Sequence, residues 1–536
     1  MSRQKRKLYR LHLLLSLSLV YGCQIPGTHT SIEKKVDVRN SSSLPKEKMN
    51  SSQEQENVAW VPKDALAPLL PIPPQETKGK PFLQEQTQNS SSYNPNLSSP
   101  VIPSPAPVMP TISPDILLYS PTEQSEFQVL SQAEITELQS NPLITVNNKF
   151  AASLFHELSQ DKQENLFISP ASVSLAFLMV WNGAAGETQT EMQKSLQIEG
   201  MDPEQVNRWG HLLMRKMLKP AEDIQLEVAN AIWANDRFTL LPEYIEKNQN
   251  NFLTKITNEH FINGLTQSKI NEWAKQRTHG KIPTVLNPID DPQTAKFWEE
   301  STFAILLNAL YFKANWTHRF ESFETQSRNF TLDNGSQKTV PMMKQFDYYK
   351  YLPPNSAQFK NKFQAIQIPY GKQSTLGMYI FLPEYGASLA SIQSNILENI
   401  SNPTFFKAFY DEGGELLLPK FKFKSHQDLV KPLKNLGMKL AFDQNLADFT
   451  KMAQTKSPDQ HFYISDAFQK SNIEVNEEGT EASAVTVINF TSDIGSSGPV
   501  RQLSMVCNHP FMYLIRDNET GQILFMGNVY DPSQEI

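Results

Sequence analysis

Residues 473–486 read IEVNEEGTEASAVT, and this stretch carries two structural signals at once. Residues 473–476 alternate apolar and polar side chains, as a half-buried strand does. The acidic pair and the glycine that follow are typical of a loop. Continued as a strand, however, residues 480–490 place buriable side chains on one face, because side chains alternate along an extended chain. We therefore expect the segment to be compatible with two states, an exposed loop and an inserted strand.

The two faces of that strand differ in character. The buriable face carries Thr480, Ala482, Ala484, Thr486, Ile488 and Phe490. The opposite face carries Glu481, Ser483, Val485, Val487, Asn489 and Thr491. Loop chemistry returns with GSSGP at 495–499, and a strand pattern resumes at Leu503, so the loop is bounded at about 477–503.

Outward from this loop, residues 142–536 mix helical and strand patterns. Ser169-Pro170 begins a very apolar helix, Thr188-x-x-Glu191 matches a capping box, and Asp202-Pro203-Glu204 supplies a helix cap with a proline at the first position. Strand-like runs fall at 226–233, 303–312, 377–382, 414–423, 511–516 and 523–529. Because helices and strands do not alternate regularly, we predict an α+β domain rather than a doubly wound parallel sheet.

Residues 1–23 have the layout of an export signal. A basic start is followed at 11–20 by a mostly Leu and Ser stretch, too short to span a hydrocarbon core of about 30 Å. The stretch ends Leu19-Val20-Tyr21-Gly22-Cys23, which resembles a bacterial lipobox, where the cysteine is lipidated. The alternatives are an ordinary cleaved signal and an uncleaved anchor. We expect an exported protein, anchored by lipid on Cys23 to the cell envelope or released to the extracellular space.

Residues 24–141 read as a disordered linker. Proline accounts for 16 of these 118 residues, and Ser, Gln and Asn fill much of the rest. Such a composition buries too little apolar surface to offset the entropy of the chain. The linker would hold the domain at 142–536 away from the envelope surface.

Composition and motifs exclude several function classes. The chain has 49 basic and 56 acidic residues, a formal net charge of −7, and no basic stripe of the kind nucleic acid requires. Cys23 and Cys507 are its two cysteines and make no disulfide framework, and we expect a buried, inert thiol at Cys507. No G-x-S-x-G, H-E-x-x-H, G-x-G-x-x-G or P-loop motif occurs, and the histidines are scattered singly. We expect no catalysis, no metal and no cofactor.

A series of short motifs identifies a family resemblance. They are NLFISP (165–170), GAAGETQTEM (183–192), ANA (229–231), THGKI (278–282), NALYFKANW (308–316), LPKF (418–421), HPF (509–511) and GQILFMG (521–527). Each motif alone is weak evidence of a family, but so many motifs in the same order along the chain are strong evidence. The chain resembles a serpin from about residue 142 to 532.

The resemblance implies three β-sheets, about nine helices and an exposed reactive loop above a five-stranded sheet. In that family a serine or cysteine protease attacks the loop and forms an acyl-enzyme. The cut loop then inserts as a new strand and carries the protease with it, which distorts the protease before deacylation. We expect a monomer whose partner is such a protease, and the alternative is a non-inhibitory binding or carrier module.

The resemblance also assigns the hinge of the loop. In the family, small residues permit insertion, whereas a charge or a proline near the start blocks it. Thr480 is neutral and residues 482–484 are small, which favours inhibition, and the bulkier Val485 is on the outward face. The hinge residues are Glu477, Gly479, Thr480, Ala482, Ser483, Ala484, Val485 and Thr486.

A second implied set lies where the central strands part. Ser169, Ser172 and Asn308 match the family's polar residues, and Trp316 matches a tryptophan at the top of the sheet. Gln469 stands where the family usually has a histidine. Because glutamine both donates and accepts, we expect the network to survive with an altered opening barrier.

The reactive bond admits several positions. Counting the family's typical span from Glu477 gives Asp493-Ile494, whereas measuring back from the HPF motif gives a bond near Val500, because this loop is longer than usual. Asp493 would suit an acid-preferring protease, including caspase-like enzymes. The alternatives are Phe490, Ser492, Val500 and Arg501; Phe490 or Ile494 would suit chymotrypsin-, subtilisin- or elastase-like enzymes and Arg501 a trypsin-like one.

Overall fold

The structure, a computed structural model, describes residues 129–218, 223–356, 358–454, 462–480 and 503–534. The α-helices in these ranges are α1 (Gln132–Ser140), α2 (Pro142–Ser159), α3 (Pro170–Trp181), α4 (Gly186–Ser195), α5 (Pro203–Leu218), α6 (Pro242–Phe252), α7 (Leu265–Arg277), α8 (Pro292–Ser301), α9 (Leu389–Ile400), α10 (Pro403–Lys407) and α11 (Val430–Asn435). Two 3-10 helices span Ser322–Glu324 and Leu440–Phe442.

The strands of the same ranges are β1 (Leu166–Ile168), β2 (Ile224–Asn235), β3 (Thr239–Leu240), β4 (Lys255–Glu259), β5 (Ala304–Asn315), β6 (Gln326–Thr331), β7 (Gln337–Leu352), β8 (Phe363–Tyr370), β9 (Leu376–Pro383), β10 (Tyr410–Pro419), β11 (Phe421–Asp428), β12 (Ala453–Gln454), β13 (Phe468–Asn476), β14 (Gly479–Thr480), β15 (Leu503–Val506), β16 (Phe511–Asp517) and β17 (Ile523–Val529).

Two large sheets organise the domain. One has six strands in the order β11-β13-β14-β5-β2-β4, and is called the central sheet below. The other follows the path β1-β17-β16-β9-β8-β7-β10-β15, with β6 paired to β7. β12 and β3 form a small third sheet. The mixture of helices with largely antiparallel sheets is the α+β class that the sequence predicts.

Helix α3 fills the space between the two large sheets. Its Ser169 cap accepts a hydrogen bond from the backbone N–H of Ser172, and Pro170 occupies the first turn, as the sequence predicts. Nearly every side chain of the helix is buried, and it packs against β5 of the central sheet and β17 of the other. A helix that is apolar on every side belongs in a core, and this one fixes the separation of the sheets.

The folded part of the chain begins earlier than the sequence analysis placed it. Helix α1 lies at 132–140, inside the segment expected to be linker. Ser131 and Glu134 form a reciprocal capping box, and Leu138 is fully buried with Leu130 and Ile135 beside it. The helix is stable there because its few apolar residues fall on one face and meet the domain.

Ion pairs also hold α1 against α5. Glu134 lies 2.5 Å from Arg215, and Arg208 reaches both carboxylate oxygens of Glu137 at 3.1 Å. The backbone N–H of Ser131 and then the guanidinium of Arg215 lower the pKa of Glu134 to about 2. Helix α1 is therefore an integral part of the domain.

Two local sequence predictions are wrong. The apolar run at 414–423 is two strands of different sheets, β10 and β11, because the chain changes sheets at Lys420. The expected capping box does not form, since α4 begins one turn earlier after Ala185. Thr188 and Glu191 instead accept backbone hydrogen bonds from a distant part of the chain, near the second 3-10 helix.

Candidate functional site: the loop hinge and the opening of the central sheet

Two of the hinge residues, Gly479 and Thr480, already lie inside the central sheet. β14 pairs antiparallel with β13 on one side and with β5 on the other. Thr480 stands opposite Val475 and Ala314, and Gly479 opposite Asn476 and Asn315. The sheet thus has a short sixth strand where the resemblance implied five.

Only glycine fits at position 479. Its φ is +155°, and a β-carbon there would lie 2.1 Å from the carbonyl oxygen of Ala314 and 2.7 Å from the Cα of Asn315. Both contacts are with backbone, which cannot move away as a side chain would. The close approach of β14 to β5 therefore depends on the missing side chain of Gly479.

Thr480 faces the interior, in agreement with the buriable face expected from sequence. It is 2% exposed, and its hydroxyl lies 2.6 Å from the hydroxyl of Tyr370. Trp316 stacks on the Tyr370 ring with centroids 4.4 Å apart and donates its indole N–H to the carbonyl of Asn476 at 2.9 Å. These contacts join the end of β13, the hinge and the end of β5 at the top of the sheet.

The turn between β13 and β14 is held by charge. Glu477 pairs with Lys420 at 2.8 Å and accepts a hydrogen bond from Thr325 at 2.9 Å. Glu478 pairs with Arg319 at 2.5 Å. Burial raises the pKa of Glu477, but the hydrogen bonds from Lys420, the backbone and Thr325 together outweigh it, so the pKa lies below its usual range. Glu477 is thus charged at neutral pH and holds the turn to its neighbours.

The polar residues predicted at the sheet opening lie in two adjoining groups. The Ser172 hydroxyl donates to the side-chain oxygen of Asn308, whose amide donates to Asn230 at 2.7 Å. The Ser169 hydroxyl, which caps α3, donates to the carbonyl of Leu524 at 2.7 Å. These bonds connect α3 to β5 and β2 of the central sheet and to β17 of the other sheet.

Gln469 joins this region through backbone rather than side chains. Its side-chain oxygen accepts from the N–H of Ser169 at 2.7 Å, and its side-chain N–H donates to the Ser169 carbonyl at 3.3 Å. The side-chain amide of Gln469 thus uses its acceptor and its donor on the backbone N–H and C=O of one residue. β13 is therefore clamped to the start of α3.

A cavity of about 250 Å³ lies below the hinge, between β5 and β13. Leu307 and Asn308 line it from β5, Phe468 from β13, Val173 from α3 and Trp273 from α7. In the described part of the chain, β5 and β13 have no direct ladder and are joined through β14 alone. The two strands are separated where a further strand would have to enter.

Several predicted site residues lie outside the described residues, and no structural statement is made about them. They are Cys23 and, in the loop, Ala482, Ser483, Ala484, Val485, Thr486, Phe490, Ser492, Asp493, Ile494, Val500 and Arg501.

The structure adds site residues that the sequence analysis missed. Arg319 gave no signal, because a single basic residue near a strand end is ordinary, and Lys420 was noted only within the LPKF motif. Tyr370 is the last residue of β8, a strand that the sequence analysis did not predict. Asn230 was noted only within the ANA motif, although a lone amide inside the apolar run of β2 needs a buried partner.

Three further findings concern the rest of the described residues. Cys507 is fully buried, and burial raises the pKa of its thiol, as expected for an inert cysteine. Among the described residues, no group of three or more His, Cys, Asp or Glu is placed to hold a metal ion. No helix within the described ranges is both long and apolar enough to cross a bilayer.

Comparisons with a family model, with related sequences and with solved structures all match the same family. The model of the family described as "Serpin (serine protease inhibitor)" matches residues 145–532. A serpin-like protein of Thermococcus kodakarensis is 30% identical over 421 residues, covering 77% of this chain and 90% of its own. The leukocyte elastase inhibitor of Bos taurus is 31% identical over 404 residues, covering 73% and 99%. The crystal structure of tengpin, a thermophilic serpin in the native state, has a TM-score of 0.63 at 28% identity, covering 73% and 95%.

Proposed function

The chain belongs to the serpin family, and on this basis we propose that its folded domain, helix α1 included, inhibits an endopeptidase of the serine or cysteine class as a suicide substrate. The family is described as one of protease inhibitors, and the proposal assigns the domain no catalytic chemistry of its own. The observation that carries the proposal is the seating of Gly479 and Thr480 between β13 and β5. Insertion would lengthen a strand that has already begun.

The register of β14 specifies where the rest of the loop would go. Extending the pairing of Thr480 with Ala314 and Val475 places residue 486 opposite Asn308 on β5 and Gln469 on β13. The hydroxyl of Thr486 would thus meet the polar residues at the sheet opening, and Ile488 would enter the apolar cavity below. Burial of Ile488 and Phe490 would contribute about 1.5–3 kcal/mol each.

The length of β5 favours Asp493-Ile494 as the reactive bond. The same register pairs Phe490 with Ala304, the first residue of β5, so an inserted strand of 480–490 spans β5 completely. At about 3.3 Å per residue, Asp493 would follow about 10 Å beyond, at the far end of the sheet. The protease nucleophile would form an ester or thioester with the Asp493 carbonyl carbon, and the released amine of Ile494 would take up a proton.

The test uses the full chain with subtilisin, elastase, chymotrypsin, trypsin and a caspase. We expect an SDS-resistant covalent band with at least one of them, and a released C-terminal peptide whose mass matches residues 494–536. A mass that matches residues 501–536 would contradict the assignment of the reactive bond but not the mechanism. Nicking by every protease, without a band and without a gain in thermal stability, would overturn the inhibitory function.

We also propose that the exported chain is anchored by lipid on Cys23, as its lipobox-like sequence indicates. The Cys23→Ser variant should lose incorporation of labelled palmitate and leave the membrane fraction. The matched control is Cys507→Ala, which removes the buried thiol and should leave labelling unchanged. Equal labelling of the Cys23 variant and the natural chain would contradict the anchor.

A carrier function is the second candidate, and one observation favours it. A cavity of about 940 Å³ lies between α10 and the turn after β16. The Arg516 guanidinium lies 4.2 Å over the Phe406 ring there, and among the described residues its Nε has no hydrogen-bond partner. An aromatic anion would fit that pairing. Binding of anilinonaphthalene sulfonate by the folded chain, lost in Arg516→Ala and retained in Lys434→Ala, would support carriage.

A further inference from the structure

Two large aromatic side chains are exposed on the outer face of β7. Phe346 is 61% exposed and Tyr348 is 76% exposed, whereas the alternating residue Tyr349 is buried. They are neighbours on one face of the strand, since they are two residues apart. The Tyr348 ring lies across Gly413 of β10, where an added β-carbon would be 3.2 Å from the ring. These two exposed side chains are called the aromatic pair below.

The aromatic pair lies close to the strand at which the loop returns to the domain. Phe346 stands opposite Glu415 of β10, and Glu415 stands opposite Ser504 of β15. Adjacent strands are about 4.8 Å apart, so Phe346 and Ser504 are separated by about 10 Å. Ser504 is exposed and follows the loop segment 481–502 by two residues.

The strand that carries the aromatic pair is also connected to the point at which the loop leaves. Gln345, next to Phe346 on β7, donates hydrogen bonds to the carbonyls of His318 and Arg319, at 3.0 and 2.8 Å. Arg319 in turn pairs with Glu478 of the hinge turn at 2.5 Å. These contacts connect β7, beside the aromatic pair, to the turn that precedes segment 481–502.

Two ion pairs lie beside the aromatic pair. Lys344 pairs with Glu415 at 2.9 Å and Lys350 with Asp411 at 2.9 Å, and the His318 imidazole lies 2.5 Å from the Asp347 carboxylate. The two rings thus lie among charges of both signs rather than in a field of one sign. Aromatic residues of this kind are enriched in the buried centres of protein interfaces.

We propose that the aromatic pair is a docking surface for the target protease, which contacts it while the loop occupies the active-site cleft. The inference rests on the proposed inhibitory function and adds a second contact to it. A protease of about 250 residues has a radius of gyration of about 18 Å, so one bound at the loop extends over a surface about 10 Å from the loop's end. The occupant is an endopeptidase with an apolar surface beside its cleft.

The test compares Phe346→Ala, Tyr348→Ala and the double variant with the natural chain. The measurement is the second-order rate constant of covalent complex formation with each protease of the panel named above that forms a band. We expect the double variant to react at least tenfold more slowly, with an unchanged stoichiometry of inhibition. Because an apolar contact is not screened by salt, the loss should be equal at 0.05 and 0.5 M NaCl.

Phe297→Ala is the matched control. Phe297 is 66% exposed on α8, which precedes the opposite end of β5 from the hinge, about 36 Å away along the strand. Its loss should not change the rate constant. A free peptide of residues 481–502 serves as a second control. Because the peptide lacks the aromatic pair, each protease should hydrolyse it at the same rate at both salt concentrations.

The outcomes separate the two proposals. If the natural chain traps no protease, the inhibitory function fails and the docking surface fails with it. If it traps a protease and the double variant does so at the same rate, only the docking surface is overturned. A faster rate in the double variant would also overturn it, because the rings would then be covering the protein's own loop.

Discussion

Gly479→Ala tests whether seating of the hinge is a condition of inhibition. An alanine β-carbon would lie 2.1 Å from the Ala314 carbonyl oxygen, a separation that backbone atoms cannot accommodate. β14 must therefore leave the space between β13 and β5, and the same clash opposes every inserted state that keeps this register. We expect a chain that folds but inserts its loop slowly.

The expected fall in the insertion rate follows from the contacts that are lost when β14 leaves the sheet. Loss of Thr480 leaves the buried Tyr370 hydroxyl without its partner, at a cost of about 1–3 kcal/mol. Exposure of the Thr480 methyl group adds about 0.8 kcal/mol. A total of about 2–4 kcal/mol, entering the barrier to insertion, corresponds to a rate about 30- to 900-fold lower. Deacylation would then outpace insertion.

The assay measures the moles of inhibitor consumed per mole of protease, together with the melting temperature before and after cleavage. The variant should act as a substrate, with a high stoichiometry and no gain in melting temperature after cleavage. Gly335→Ala is the control: its φ is +80°, yet no atom lies within 4 Å of the added carbon. It imposes backbone strain of about 1–2 kcal/mol without a clash, so its stoichiometry should be unchanged.

A stoichiometry for Gly479→Ala equal to that of Gly335→Ala would refute the reasoning. It would mean that the loop inserts without β14 occupying its present place. A near-ultraviolet circular dichroism spectrum identical to that of the natural chain would show that misfolding is not responsible for a positive result.

Three further predictions concern stability. Glu477→Gln should destabilise the fold above pH 4.5 and progressively less as the pH falls below it, because the lowered pKa of Glu477 contributes stability that protonation removes; melting temperatures between pH 3 and 7 measure this. Leu138→Ala should lower the free energy of unfolding by about 2–5 kcal/mol, against less than about 0.5 for the exposed Val129→Ala, by urea titration. Gln469→Leu should cost about 1–3 kcal/mol in the same titration, since it leaves the buried N–H of Ser169 without an acceptor, while the Ser169 carbonyl keeps its hydrogen bond from the N–H of Val173.

Local patterns were sufficient for most of the fold. The cap at Ser169 with Pro170, and the apolar runs that became β2, β5, β9, β16 and β17, depend on neighbours within a few residues, so the sequence reveals them. Helix α1 was missed because its capping box carries only a weakly amphipathic turn. Its stability comes from Arg208 and Arg215, about 70 and 80 residues away in sequence, which no local pattern can indicate.

In the candidate site, too, local motifs predicted some residues, whereas others depend on tertiary contacts. Ser172, Asn308 and Trp316 were found through motifs, and their positions at the sheet opening follow from the fold. The sequence showed glutamine at position 469 in place of the family's histidine, but not the hydrogen-bond partner of that glutamine. Whether its amide bonds to a side chain or to the backbone depends on the distance between β13 and α3, which local sequence does not determine.

The register explains why the hinge carries small residues after Thr480. Continuing the pairing by two residues places Ala482 between Phe312 of β5 and Ile473 of β13, both buried and both on the inward face. Phe312 already packs against Tyr370 and Phe525, so little volume remains beside it. A larger side chain at 482 would have to enter a close-packed core and would cost about 1–3 kcal/mol. The hinge is therefore small because its future neighbours are large, and substitution of Ala482 by leucine should convert the inhibitor to a substrate without changing its native stability.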